Sequence, residues 1–399
     1  MENISILLVV GSAIVISLWA GKSLNRFRLP VVIGYVLAGI ILGKSFLKIL
    51  TPQVIEKASL INDLALGVIA FLIGAEFNFS RLRNLGKLII LIALFESLGA
   101  FFLVFLSVSL LTHKVYLGLI LGAVASATAP AVTVAVINQY KAKGELTSTL
   151  LGVVGSDDAI ALIIYAFASS IAYGFMVHQG ISFKQAIIYP FKEISLSLIL
   201  GAGLGIILSY FLNKCKERQD YFSLIVGFLL IGEGLSWEFN LSELLVIMVM
   251  AMVGVNLSFR KVEQSLASLN IAGFPIIASF FCLASTRLDI HLISQIGFLG
   301  FVYLFFRILG KYLGARLGAK IGKANLNIRK YIGLCLWPQI GVALALAIVI
   351  ERDFSSLGKE GVFISNLAIN ILLFTTIFTE TLGALATRFS LLKSREINL

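Results

Sequence analysis

The sequence predicts an all-α polytopic membrane protein of about thirteen transmembrane helices. Three observations lead there. Of the 399 residues, 59% are hydrophobic and only 13% are charged, about half the charged share of a soluble domain. Apolar runs of about 20 residues, the length that crosses a bilayer as a helix, recur along the chain. The alternating segments of a membrane β-barrel do not. Mean hydropathy is +0.98, too apolar for a soluble surface.

Charged or Gly/Pro-marked loops divide the chain into expected spans near 4–20, 30–47, 60–76, 88–111, 115–138, 147–175, 192–212, 220–237, 241–257, 269–285, 292–318, 330–350 and 362–387. The first run starts almost at Met1, without a basic n-region or a small-residue cleavage site, so it reads as a span rather than a signal peptide. No long polar stretch remains for a soluble regulatory domain. Lys and Arg test the alternation. Twenty-one lie on the side of loops 1–2, 3–4, 5–6 and so on to the C-terminus, and nine on the other. Basic loops stay inside, which puts the C-terminus inside and the N-terminus outside. The same distribution argues that the net charge of +11 reflects membrane topology and not nucleic-acid binding. Cys215, Cys282 and Cys335 are too few for a disulfide framework, and no His/Cys cluster has metal-ligand spacing. No resident cofactor is expected.

Arg307 and Lys311 are the only basic residues well inside a span, away from its ends. Four apart, they share one helix face. The acidic residues away from span ends are Glu96, Asp157, Asp158, Glu233, Glu243 and Glu380. A charge in hydrocarbon costs roughly 2.5–3.5 kcal/mol even on the lenient scale, so each needs a partner or a function. Asp157 and Asp158 lie about ten residues, or roughly 15 Å of helix, from the inner end of their span, near mid-bilayer. Two adjacent carboxylates there hold protons, a mobile cation or a fixed cation. Doing so by turns is cation–proton exchange. The plainer alternative is a salt bridge that only fixes helix packing. Lys311, a point charge, suits an exchangeable partner. Arg307 suits a permanent one, with Glu96 or Glu380 as its expected mate.

Two spans are interrupted. Span five carries Ser126-Ala127-Thr128-Ala129-Pro130, and span twelve carries Leu336-Trp337-Pro338-Gln339-Ile340-Gly341. Mid-span proline frees backbone groups, which is tolerated where they line a site. The two breaks are seven spans apart. With span seven as a linker, spans 1–6 and 8–13 become two six-helix inverted repeats, and matched breaks point to a midplane ion site.

With these residues in place, the chain resembles the cation:proton antiporter superfamily, in particular bacterial sodium–proton antiporters with a paired-Asp motif. The stretches from Leu29 to Gly39 and from Leu66 to Glu76 resemble that superfamily's second- and third-span signatures. Gly310-Lys311-Tyr312-Leu313-Gly314 resembles its lysine motif. The resemblance implies a homodimer in a plasma (inner) membrane, working by elevator-type alternating access. Dimerisation helices would occupy 1–87 and 220–288, and mobile-core helices 88–175 and 289–399, with a linker helix at 176–219. It also implies that Asp158 carries the ion with help from Thr128, and that Asp157 pairs with Lys311. The transported species would be Na⁺, with Li⁺ or K⁺ as alternatives, against H⁺. One departure stands out. Some members carry an acidic residue directly after the threonine, where this chain has Ala129. Compensation of the helix dipoles at the crossing then falls to Glu96 or Glu380. The potassium-efflux branch usually has Gln-Asp and a nucleotide-binding domain, and this chain has neither.

Other classes fit less well. A channel would show a filter loop or charge rings. An intramembrane aspartyl protease needs carboxylates meeting across a gap, whereas residues at i and i+1 point about 100° apart on a helix. No enzymatic activity is expected.

Overall fold

A computed structural model describes residues 6–26, 31–50, 58–177 and 183–397. Leu29 and Pro30 of the second-span signature, and the start of the first expected span, lie outside these. All regular structure among the described residues is helical. In chain order the helices are α1 (Ile6–Asn25), α2 (Val31–Leu42), α3 (Ser59–Glu76), α4 (Phe79–Thr112), α5 (Val115–Ser126), α6 (Pro130–Gln139), α7 (Glu145–Val177), α8 (Phe183–Lys214), α9 (Arg218–Glu238), α10 (Glu243–Leu257), α11 (Phe259–Ser285), α12 (Ile290–Ile321), α13 (Leu326–Tyr331), a 3-10 turn (Ile332–Leu336), α14 (Val342–Phe354) and α15 (Gly358–Lys393).

Among the described residues, eight helices are long and apolar enough to cross a membrane, and α2, α5 and α10 are shorter apolar helices. The sequence reading differs from the structure mainly at boundaries. The second expected span shortens to Val31–Leu42. The fourth gains an amphiphilic lead-in from Phe79 that bends at Gly86 (φ +80°). The proline-marked spans become α5 with α6, and α13 and the 3-10 turn with α14.

The helices sort into two groups by contact. In one, α4 contacts α5, α7 and α12, and α15 contacts α14, α12 and α6. In the other, α10 lies against α3, α8 and α9, and α11 against α1, α2 and α3. The seam between α4 and α12 is unusually close because it lacks side chains. Gly310, Gly314 and Gly318 recur every four residues along one face of α12, and Gly99 faces them from α4. A Cβ at Gly314 would lie 2.1 Å from the carbonyl of Phe95, and one at Gly310 would lie 2.5 Å from that of Gly99. Small residues at this spacing let membrane helices approach until backbones touch.

The helix that carries the paired aspartates is anchored from the far end of the chain. The Glu396 carboxylate accepts hydrogen bonds from the backbone N–H of Leu146 (2.6 Å) and Thr147 (2.7 Å), and from the Thr147 hydroxyl (2.6 Å). It thereby satisfies donors that the start of α7 leaves without helical partners.

Candidate functional site

The two interrupted helices meet at their breaks. Between α5 and α6 the helix is interrupted over residues 127–129, and Ala127 and Ala129 are extended. Between the 3-10 turn and α14, residues 337–341 belong to no helix, and Gly341 adopts φ +116° and ψ −109°. The Ala129 N–H donates to the Pro338 carbonyl across 3.0 Å, and the Thr133 hydroxyl donates to the Cys335 carbonyl across 3.0 Å. Pro130 opens α6 at its first turn, where its missing N–H costs nothing.

Broken helices leave partial positive charge at the new N-terminus and partial negative charge at the new C-terminus. Both are answered here. Glu380 of α15 accepts from the N–H groups of Gln339 (2.8 Å) and Ile340 (3.0 Å) through one oxygen. Arg307 of α12 donates to the carbonyls of Trp337 (2.5 Å), Ala127 (2.8 Å) and Pro338 (3.2 Å). The arginine therefore ties the loose carbonyls of both breaks together, and the expectation that it would pair with Glu96 or Glu380 is corrected. A guanidinium presents several fixed donors, which matches a cluster of backbone oxygens. Glu380 serves the dipole, and Glu96 does something else.

Glu96 belongs to Lys311. Its carboxylate lies 2.7 Å from Nζ, whereas Asp157 lies 3.7 Å away. Nζ also donates to the Ser126 carbonyl and the Thr128 hydroxyl, each at 2.5 Å. The glycine seam explains this pairing. Gly310 and Gly314 flank Lys311, let α4 approach, and bring Glu96 beside it. Glu96, Asp157, Lys311 and Arg307 are all fully buried, and Asp158 is 8% exposed. Asp158 Oδ1 has no hydrogen-bond partner among the described residues. Such an oxygen, buried in a polar site, is a place for a cation or a proton.

The structure thus brings together Asp157, Asp158, Thr128, Lys311 and Glu96, and places Arg307, Glu380 and Pro338 at the crossing beside them. Sequence reasoning missed Gln339, which donates to the Thr375 hydroxyl (2.6 Å) and accepts from Tyr303 (3.4 Å). A polar residue next to a mid-span proline was the available signal.

This geometry is that of a membrane exchanger with crossed broken helices, and the comparisons agree. Residues 11–393 match the sodium/hydrogen exchanger transmembrane family, and the chain belongs to it. A Na⁺/H⁺ antiporter from Enterococcus hirae is 24% identical over 385 residues, covering 94% of this chain and 96% of the relative. A relative described as an ammonium/H⁺ antiporter subunit, AmhT of Alkalihalophilus pseudofirmus, is 21% identical over 224 residues, covering 55% of each chain. The solved structure of the sodium proton antiporter MjNhaP1 from Methanocaldococcus jannaschii shares the fold, with a TM-score of 0.79. The match has 18% identity and covers 98% of this chain and 99% of that one.

Proposed function

We propose that this integral membrane protein exchanges Na⁺ for H⁺. The observation that carries the reading is the buried Asp157–Asp158 pair beside a buried lysine, at the crossing of two broken helices, in a chain of the sodium/hydrogen exchanger family. Asp158 binds the cation or a proton. Thr128 supplies a hard oxygen once Lys311 releases it, because in this structure the lysine holds that hydroxyl. Lys311 and the cation therefore compete for the same oxygens.

The coupling follows from that competition. A cation arriving at Asp158 displaces Lys311 from Thr128 and Asp157, and the lysine gives up a proton. One Na⁺ then moves against two H⁺, and each turnover carries one net charge, worth about 2.3 kcal/mol per 100 mV. The group built on α4–α7 and α12–α15 serves as the mobile core. It slides as an elevator against the other group, which forms the homodimer interface. The basic loops face the cell interior of a plasma membrane.

Proton flux in proteoliposomes, with Na⁺, Li⁺, K⁺ and NH4⁺ offered in turn, tests the exchange. The ammonium cation is included because of the second relative's description. Coupled counterflow with Na⁺ is expected. No counterflow with any cation, or unitary currents of a pore, overturns the proposal. The wild type is expected to respond to membrane potential, and active Lys311→Gln protein to exchange without net charge. A wild type indifferent to potential removes the two-proton coupling and leaves the exchange reading intact.

A further inference from the structure

One end of the α12–α15 group carries far more positive charge than its helices require. Residues 315–331, the end of α12 and all of α13, hold Arg316, Lys320, Lys323, Arg329 and Lys330 and no acidic residue. Residues 388–397, at the end of α15, hold Arg388, Lys393 and Arg395 against one carboxylate, Glu396. That carboxylate is committed to the start of α7. The two segments adjoin. Helix α13 packs on α12, and the Tyr331 ring meets that of Phe389 edge to face, with centroids 6.5 Å apart. Among the described residues none of the eight forms an ion pair. Six are exposed. The other two, Arg329 and Arg388, each keep a buried Nε with no hydrogen-bond partner among the described residues.

Two plainer explanations fall short. Three helices end here, and each end offers about half a negative charge, far too little to answer eight cations. The tendency of basic residues to collect on one side of a membrane does not single out this group of helices. In the other group, the five basic residues of 214–218 and 260–261 are interleaved with or followed by Glu217, Asp220 and Glu263. One of them is also spent internally, since Lys261 Nζ donates to the carbonyls of Leu212 (2.7 Å) and Cys215 (3.0 Å).

The charge stands at the foot of an apolar stripe. Leu313, Leu317 and Ile321 follow one another at four-residue spacing down α12, each close to half exposed, and Arg316 and Lys320 lie on the adjoining face. On α13, Leu326 and Lys330 are exposed on one face. The apolar span of α12 runs to Ile321, so Lys320 and Lys323 stand where it leaves the hydrocarbon. We propose that this end of the α12–α15 group docks acidic phospholipid. The lipid phosphate meets Lys320, Lys323 and their basic neighbours, and the acyl chains lie along the stripe from Leu313 to Ile321. A soluble anion would use the charge and leave the stripe without a role. The proposal needs only that the protein spans a membrane, and stands whether or not it exchanges Na⁺.

The test titrates phosphatidylglycerol or phosphatidylcholine of identical acyl chains into the purified protein in detergent and counts retained lipid by native mass spectrometry. Wild-type protein is expected to retain phosphatidylglycerol in preference by about tenfold or more. Lys320→Gln and Lys323→Gln should each weaken that retention about fivefold, and together about thirtyfold, while phosphatidylcholine is unaffected. Lys214→Gln with Lys216→Gln removes the same charge from the other group and should change retention by less than about twofold. The preference should shrink at 1 M salt, where the Debye length falls to about 3 Å. Glycerol phosphate, which has the anionic group without the chains, should not displace the lipid. Thermal unfolding without added lipid checks that the variants are folded. Equal retention of the two lipids, a preference that survives the double substitution, or an equal loss in the Lys214 and Lys216 pair overturns the proposal. Displacement by glycerol phosphate assigns the surface to a soluble anion and overturns it too.

Discussion

Replacing Glu96 with glutamine separates two ideas about Lys311. In this structure the lysine is 1.0 Å nearer Glu96 than Asp157, at 2.7 against 3.7 Å. With an effective dielectric of about 20, the two attractions are roughly 6.1 and 4.5 kcal/mol, so Glu96 leads by about 1.7 kcal/mol. Glutamine keeps the shape and one acceptor oxygen but removes that lead. Lys311 then turns to Asp157, and an arriving cation must break a pair that the wild type keeps loose. The half-saturating Na⁺ concentration for proton flux should rise about eighteenfold, the factor that 1.7 kcal/mol implies. Maximum rate should fall less. The assay is Na⁺-dependent proton flux in proteoliposomes, run beside thermal unfolding in detergent to show that the variant is folded. A folded Glu96→Gln protein with unchanged or tighter Na⁺ dependence would refute the view that Glu96 holds the lysine away from Asp157.

Three further outcomes follow from the same geometry. Asp158→Asn should abolish exchange while the protein stays folded, because an amide carries neither the charge nor the proton; substantial residual flux would move the ion site elsewhere. Glu380→Ala should lower stability by about 1–3 kcal/mol for each of the two N–H groups it orphans. Glu380→Gln, which retains an acceptor, should lose less, and equal melting temperatures for the two would show that the backbone bonds contribute nothing. Gly314→Ala puts a Cβ 2.1 Å from the Phe95 carbonyl, so α4 and α12 must part by about 1 Å, at a cost of about 1–3 kcal/mol. Wild-type melting and wild-type flux would show that the seam is looser than drawn.

Much of this site was visible in the amino-acid order, because intramembrane charge and mid-span proline are both costly and so stand out. Asp157, Asp158, Lys311 and the two breaks needed no neighbour to be noticed. Partner choice was not visible. Arg307 and Lys311 share a helix face, and nothing local says that the first meets backbone carbonyls and the second meets Glu96. Those facts depend on which helices adjoin α12. One clue was available: glycines at 310, 314 and 318 make a smooth stripe around Lys311, and Gly99 lies three residues after Glu96. Read together, they would have put α4 against α12 and Glu96 beside the lysine. The roles of Glu96 and Glu380 could not be told apart for the same reason. Residue 380 is 41 positions from the backbone it binds, and no periodicity spans that distance.

Gly341 carries a consequence of a different kind, one of handedness. Its φ of +116° and ψ of −109° are the mirror image of an ordinary β conformation. A side chain there would have open space, since nothing lies within 4 Å of an added Cβ. The obstacle is chirality alone. An L-alanine would be strained by about 1–3 kcal/mol. A D-alanine, installed by chemical ligation, would sit in its own favoured basin and remove glycine's freedom in the unfolded chain, gaining about 0.4–1 kcal/mol. The chain reverses its twist at this one achiral residue, immediately before α14 begins. The enantiomeric pair of alanines at position 341 therefore measures how much of the broken helix's stability resides in the backbone turn itself, apart from every side-chain contact around it.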